Sequence, residues 1–369
     1  MAARYDAIVV GAGPAGSTTA YRLARAGARV MLLDRARFPR DKPCGGGLTL
    51  RAVRELPFSV EPVVEDTVHT FGFGLRYSRR AELRSAKPLV LMTQRRRLDA
   101  FLAEQAAEAG AEFRDGAKVT NVAPEGQVVL DGERVRGDVV VGADGANGVT
   151  ARAVGLGARN VGVALEGNVA YDPDLRARYR GRAVIDVGVV PGGYAWVFPK
   201  GDHVNVGVGG WQSEGPRLRD HLARACSGYG VDVARLTDVR GHRLPMLGAT
   251  KPPLRERVLL VGDAAGLVDP LSGDGMYEAF VSGRLAAEAV VGGGLAGYAA
   301  ALARALARTE AVSFRVKGAF DRFPRLAFSV ARTPLAWRLF CAVVRGDSAP
   351  ADVSGLRAAP LRVLAALGS

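Results

Sequence analysis

Residues 5–34 read YDAIVVGAGPAGSTTAYRLARAGARVMLLD, and this stretch decides how the fold begins. Tyr5–Val10 is a short apolar run suited to a strand buried on both faces. Pro14–Ala26 reads as a helix that Gly27 closes, and Arg29–Leu33 reads as a second buried strand. Strand, helix and strand in this order open a parallel sheet. Between the first strand and the helix lies Gly11-Ala12-Gly13-Pro14-Ala15-Gly16. Gly11 permits a tight turn, Gly13 lets the backbone approach a pyrophosphate, and Gly16 lets helix and strand pack closely. The helix N-terminus then faces the phosphates. Asp34, 18 residues beyond Gly16, ends the second strand, where a carboxylate can hold a ribose hydroxyl. The pattern predicts a dinucleotide site that includes Gly11, Gly13, Ala15, Gly16 and Asp34. Alone, it does not choose among NAD, NADP and FAD.

Residues 262–283, GDAAGLVDPLSGDGMYEAFVSG, make that choice. They follow another buried strand, Val258–Val261, and lead into a helical run. A second glycine-and-aspartate loop so far along the chain suits the long, extended FAD, whose ring end needs its own cradle. Gly262 precedes Asp263, whose carboxylate can accept hydrogen bonds from the ribityl chain. Pro270, Gly273 and Gly275 would let backbone approach the ring edge. A helix starting near Asp274 would direct its positive end at the pyrimidine side.

Between these loops, residues 95–109 read as a helix, 117–122, 127–130 and 138–141 as strands, and Val141-Gly-Ala-Asp144-Gly145 as a loop. Residues 160–170, 182–190, 194–199 and 203–211 are rich in valine and aromatics and are separated by turns. They predict an antiparallel sheet inserted into the first domain. The tail from about 296 is helical and basic, with nine Lys/Arg against two Asp/Glu between Ala301 and Gly346. The predicted class is α/β, α+β overall. It comprises a Rossmann-like FAD-binding domain with a parallel sheet (1–56, 89–155, 256–300), a substrate-binding antiparallel-sheet domain (57–88, 156–255) and a helical C-terminal cap (301–369).

The 369 residues are 48% hydrophobic and 24% charged, which excludes a disordered chain. Fifty Lys/Arg against 37 Asp/Glu give a net charge of +13, a surface that attracts anions. Part of the arginine excess is equally accounted for by base composition. No recognition helix, zinc pattern or RNA-binding signature accompanies it, so no nucleic-acid partner is predicted. The four histidines (His69, His203, His221, His242) form no ligand spacing, and no metal is predicted. Three widely spaced cysteines and a strand five residues from the start predict a cytoplasmic protein. The basic, aromatic tail also suits peripheral contact with the inner face of a membrane.

Arg95 and Asp99, which open a helix, together with the Asp144 loop and both glycine loops, resemble the flavoprotein fold of the aromatic hydroxylases. That resemblance implies that Arg95 and the Asp144 loop help hold FAD. Gly148 departs from it, standing where many members carry serine. Two further motifs, Lys42-Pro-Cys44-Gly45-Gly-Gly-Leu-Thr49 and Tyr194-x-Trp196-x-Phe198-Pro199 followed by Gly207, resemble the geranylgeranyl reductase family. The likeness covers most of residues 1–300 and implies an FAD-dependent reductase that saturates isoprenoid double bonds.

Three consecutive glycines leave no side chain above a planar ring. Tyr194, Trp196 and Phe198 share one face of a strand, suited to an apolar chain lying over the flavin or to a plain core face. Cys44, Tyr194 and Trp196 are the candidate catalytic residues. The resemblance places Cys44 near the flavin, while residue type alone also allows a small filler. The implied reaction moves hydride from reduced flavin N5 to one alkene carbon, while a proton reaches the other from Cys44, Tyr194 or a trapped water. No second fingerprint is present, so electrons must come from transiently docked NAD(P)H or a ferredoxin-like carrier. A flavin monooxygenase or halogenase on the same scaffold is the alternative, though this chain has Tyr194 and Phe198 where halogenases carry Trp and Ile.

Overall fold

Arg4–Val10 lies near the middle of an eight-stranded sheet and is buried almost throughout. The computed structural model describes residues 4–156, 160–246 and 253–369. Residues 157–159 and 247–252, assigned to the inserted sheet domain from sequence, lie outside the described residues.

Arg4–Val10 pairs in parallel with Val30–Leu33 on one side and with Glu133–Gly142 on the other. Val258–Leu260 adds in parallel to Glu133–Gly142, and Glu112–Arg114 adds to Val30–Leu33. Sheet order therefore brings the loops after Val10, Gly142 and Leu260 to one end. This follows from the parallel pairing and places a ligand site at the carboxyl ends of the strands. Helices Pro14–Arg25 and Met276–Val291, which follow the two glycine loops, pack together: Thr19 Oγ1 donates to the Gly283 carbonyl at 3.3 Å.

A seven-stranded sheet forms from Thr70–Leu75, Arg79–Arg84, Asn160–Ala170, Arg182–Val187, Tyr194–Pro199, His203–Trp211 and Thr237–Met246. It is antiparallel apart from one parallel pairing, between Thr70–Leu75 and Arg182–Val187. One face carries the side chains of Ala195, Val197, Val204 and Val206 and packs on helix Leu218–Tyr229. The other face carries Tyr194, Trp196, Phe198, Phe71 and Phe73. A third, three-stranded sheet of Gly47–Thr49, Val90–Met92 and Asp66–Val68 joins the two larger ones. Its short strands show no alternation in the sequence.

The C-terminal helices Tyr298–Arg322, Pro324–Ala331, Pro334–Arg345 and Ala359–Gly368 follow. Tyr298 Oη donates to the Leu260 carbonyl at 2.7 Å and pins the first of them to the parallel sheet. Phe328 stacks on Phe73 at 5.3 Å and Phe340 meets Phe71 at 5.1 Å, so the later helices lie over the aromatic face of the seven-stranded sheet. Among the described residues no single helix is long and apolar enough to cross a membrane. Pro324–Ala331 and Pro334–Arg345, bent by 80°, reach that length and composition only together.

Candidate active site

One cavity of about 960 Å³ runs from Gly11 and Gly13, past the Asp263 loop, to the aromatic face of the seven-stranded sheet and the C-terminal helices. Every residue predicted for the site lines it except Gly16. A Cβ on Gly16 would strike the Gly11 carbonyl oxygen at 1.8 Å, which is the helix–strand contact foreseen for it.

At the fingerprint end, Asp34 Oδ2 accepts from Ala12 N at 2.9 Å. Arg95 holds Asp99 in a two-pronged pair at 2.7 and 2.8 Å. Burial alone would lower the Arg95 pKa, and Asp99 more than offsets this, so the guanidinium stays charged. Arg40, which the sequence reading missed, sits beside it: Nη1 lies 2.9 Å from Asp99 and Nε 3.5 Å from Asp34. A Cβ on Gly13 would lie 3.5 Å from Arg40 and 3.9 Å from Arg95, so both guanidiniums stand over the open backbone. Two cations sharing the Asp99 carboxylate above a helix N-terminus suit a diphosphate. Only its place after the second strand could have marked Arg40 in the sequence.

Asp144 lines the cavity, but its carboxylate turns back into its own loop. It accepts from Val149 N at 2.6 Å, Thr150 N at 3.0 Å and the Thr150 hydroxyl. It therefore shapes the loop that walls the site. Gly148 has a local reason here, because a Cβ there would fall 1.9 Å from the Asp144 carboxyl carbon.

Asp263 Oδ2 receives Lys42 Nζ at 3.1 Å and has His242 Nε2 at 3.7 Å. Burial pushes this carboxyl up, but the Lys42 ammonium first, and then the His242 ring, outweigh burial and hold it below the ordinary carboxylate range. His242 Nε2 is itself buried without a hydrogen-bond partner. Strand spacing gave no hint of this, because His242 reaches the loop only through the pairing of Thr237–Met246 with Asn160–Ala170. Gly275 caps helix Met276–Val291, and Asp274 Oδ1 accepts from Met276 N at 2.8 Å.

The glycine triplet lines the cavity and converges on the aromatic strand, where packing gives a further reason for bare backbone. A Cβ on Gly45 would lie 2.8 Å from the Phe198 ring, and one on Gly46 would lie 1.9 Å from Lys200 Nζ. Lys200 donates to the carbonyls of Gly45 at 2.5 Å and Thr93 at 2.7 Å. Burial lowers the pKa of this ammonium. Cys44 N donates to Glu166 at 2.6 Å, and Cys44 Sγ accepts from Gly46 N at 3.3 Å. Phe198 and Lys200 thus pack onto Gly45 and Gly46, while Gly47 faces Val90 of the three-stranded sheet.

Trp196 is only 7% exposed, and its indole N–H donates to Asn205 Oδ1 at 2.8 Å. Gly207 is its cross-strand partner, and a Cβ there would fall 2.1 Å from the indole ring. This explains the spaced glycine of the motif. Tyr194 donates its hydroxyl proton to the Ser272 carbonyl and ties the aromatic strand to the second glycine loop. Burial first, then Asp274 and Asp269, push the Tyr194 pKa up.

These residues fit FAD: a cationic cradle at Gly13, an acid for a ribose, and a buried His242 nitrogen without a partner beside Asp263. The FAD binding domain family matches residues 4–190. Menaquinone reductase of Mycolicibacterium smegmatis is 34% identical over 344 residues, covering 86% of this chain and 83% of that protein. Geranylgeranyl diphosphate reductase of Synechocystis is 32% identical over 315 residues, covering 77% of this chain and 74% of that protein. A geranylgeranyl bacteriochlorophyll reductase-like structure from Thermoplasma acidophilum matches with a TM-score of 0.81 at 22% identity, covering 98% of this chain and 99% of that one. This last likeness is one of fold. The cofactor of such a chain is FAD, and the chain belongs to the geranylgeranyl reductase family of FAD-dependent oxidoreductases.

Proposed function

We propose that the protein saturates carbon–carbon double bonds of an isoprenoid chain. The observation that carries this is the continuity of the cavity. It joins the dinucleotide cradle to a groove walled by Phe73, Trp196 and Phe198 on one side and Val316, Phe320 and Leu364 on the other. A flexible apolar chain would bury its surface along such a groove, gaining about 25 cal/mol per Å² removed from water. FAD, when bound, supplies the hydride.

Arg40 and Arg95 would hold the diphosphate, Asp34 a ribose hydroxyl and Asp263 the ribityl chain. Pro270, Gly273 and Gly275 would line the ring edge with backbone. The aromatic face and the helices exclude water and fix the alkene, which an unactivated double bond requires. Between the side chains named as proton sources, the geometry favours Cys44. The Tyr194 proton is committed to Ser272, and burial makes it harder to release. The Cys44 sulfur lines the cavity and uses only its acceptor side, toward Gly46 N. Tyr194 then acts as a positioning residue. The relatives' printed activities, on menaquinone and on geranylgeranyl diphosphate, support a prenyl substrate.

The test is a single turnover. Holoenzyme reduced with dithionite is mixed without oxygen with geranylgeranyl diphosphate or menaquinone. Reappearance of oxidised-flavin absorbance, with a gain of two hydrogens located in the prenyl chain by tandem mass spectrometry after any quinol has been reoxidised in air, is the expected result. Cys44→Ala should slow that step at least tenfold, the lower range for one proton-transfer group being about a hundredfold. Failure of every prenyl compound to reoxidise the flavin overturns the reading. A product carrying added oxygen or halogen, formed only in air, replaces it with the monooxygenase or halogenase alternative.

A further inference from the structure

We propose that a second, smaller cavity, of about 370 Å³ and lined by Arg79, Arg80, Ala81, Phe328, Ser329 and Arg332, binds the phosphate-bearing head of the prenyl substrate. The proposal rests on the reductase reading and names the substrate's other end.

Strand Arg79–Arg84 forms the edge of the seven-stranded sheet. Its register is Leu75 opposite Arg79, Phe73 opposite Ala81 and Phe71 opposite Leu83. Opposed residues share a face, so Arg79, Ala81 and Leu83 continue the apolar face of Phe71, Phe73 and Leu75. That face ends in a guanidinium. The helix above it repeats the arrangement. Phe328 and Ala331 lie on one side of Pro324–Ala331, and Arg332 closes that helix. Leu83 and Ala331 line the large cavity while Ala81 and Phe328 line the small one. One sheet face and one helix face thus serve both, with the stacked Phe73–Phe328 pair between them.

The charges are unequal. Arg80 is matched to Asp186 at 3.1 Å. Arg79 and Arg332 have no carboxylate partner among the described residues, although both line the cavity. Two exposed, unmatched guanidiniums in a cavity that adjoins the aromatic face suit a phosphate ester or a diphosphate. A neutral quinone ring would gain little from them. The reach also fits. Strands 194–199, 182–187, 70–75 and 79–84 are successive neighbours, and a spacing of about 4.8 Å puts roughly 14 Å between the first and the last. A chain of several isoprene units held by its head at Arg79 and Arg332 is long enough to span that distance to Trp196, passing the Phe73–Phe328 stack that separates the two cavities.

The experiment compares FAD-loaded wild type with Arg79→Ala/Arg332→Ala, Arg332→Glu and, as a surface control, Arg304→Ala. The compounds are geranylgeranyl diphosphate, geranylgeraniol and vesicles of a geranylgeranylated phospholipid. Titration calorimetry with inorganic diphosphate gives a separate binding readout that needs no turnover. The double variant should raise KM for the phosphate-bearing compounds by roughly tenfold or more, with a smaller fall in kcat and a much smaller change for geranylgeraniol. Inorganic diphosphate should bind wild type and the control and compete with geranylgeranyl diphosphate. A larger loss with the vesicles than with the free diphosphate assigns the head to a phospholipid, and the reverse assigns it to a prenyl diphosphate. Equal KM values for wild type and double variant, or an equal loss with geranylgeraniol, overturn the subsite while leaving the reductase reading intact. If no prenyl compound is reduced, that reading fails, and the calorimetry still decides the subsite.

Discussion

At Gly207 a single hydrogen atom decides where an indole lies. The Trp196 ring crosses the neighbouring strand over this residue, and a methyl there would overlap it at 2.1 Å. Gly207→Ala should therefore displace the ring and lower kcat/KM at least tenfold. FAD content, read as the ratio of flavin to protein absorbance, should stay near wild type because the cradle at Gly13 lies on another sheet. Unchanged kcat/KM would show that the ring's position is immaterial. Other residues were less legible in the sequence. Gly45 and Gly46 read as space for a planar ring; both line the cavity, and the packing of Phe198 and Lys200 onto them, which the sequence does not show, also requires bare backbone. The Asp144 loop read as part of the FAD cradle, and it lines the cavity while the Asp144 carboxylate closes the loop from within. Arg40 and His242 went unnoticed because each acts through partners far away in the chain, Asp99 and Asp263. Spacing along a chain reports local geometry. It says nothing of a side chain that meets the site from another sheet.

The elements were more legible than their partners. The first strand, its helix and the strand Tyr194–Pro199 follow from periodicity and glycine placement. The three-stranded sheet does not, since strands of three residues carry no period, and neither does the parallel pairing of Thr70–Leu75 with Arg182–Val187. Helix Tyr298–Arg322 carries a titratable group of its own. Burial first, and the nearby charge of Asp269 second, raise the Glu310 carboxyl from 4.5 to about 7. Below pH 4.5 the folded and unfolded chains both hold this proton. Between 4.5 and about 7 only the folded chain does. The unfolded state then binds fewer protons, so this group's contribution to stability falls as pH rises through that window and levels off above it. Glu310→Gln removes the dependence. The difference in Tm, variant minus wild type, should grow from about pH 5 to about pH 7.5. A constant difference would mean that the carboxyl ionises normally in the folded protein.

Over the whole molecule, the ligand cradle is assembled from distant parts of the chain: Gly13, Arg95 and Asp263 meet only when the parallel sheet is complete. FAD therefore acts as a cross-link. At about a thousandfold excess over its Kd it should add roughly 4 kcal/mol to stability. Stripping the flavin should lower Tm by several degrees, and Tm should then climb with the logarithm of added FAD. Independence of Tm from FAD would mean that the two glycine loops do not share one ligand.

The clasp at Lys200 has a mechanical consequence. Parting the seven-stranded sheet from the three-stranded one there would strand a buried ammonium away from the carbonyls of Gly45 and Thr93, at a cost of several kcal/mol. Helix Tyr298–Arg322 is fastened in the same way, because buried Lys317 donates to the Gly192 carbonyl. Residues 324–345 carry no such fastening. They rest on the sheet through Phe328 and Phe340, by ring contacts that re-form readily once broken. The contacts at Lys200 and Lys317 therefore resist separation more than the ring contacts of the bent pair 324–345 do, and local opening is expected first at that pair.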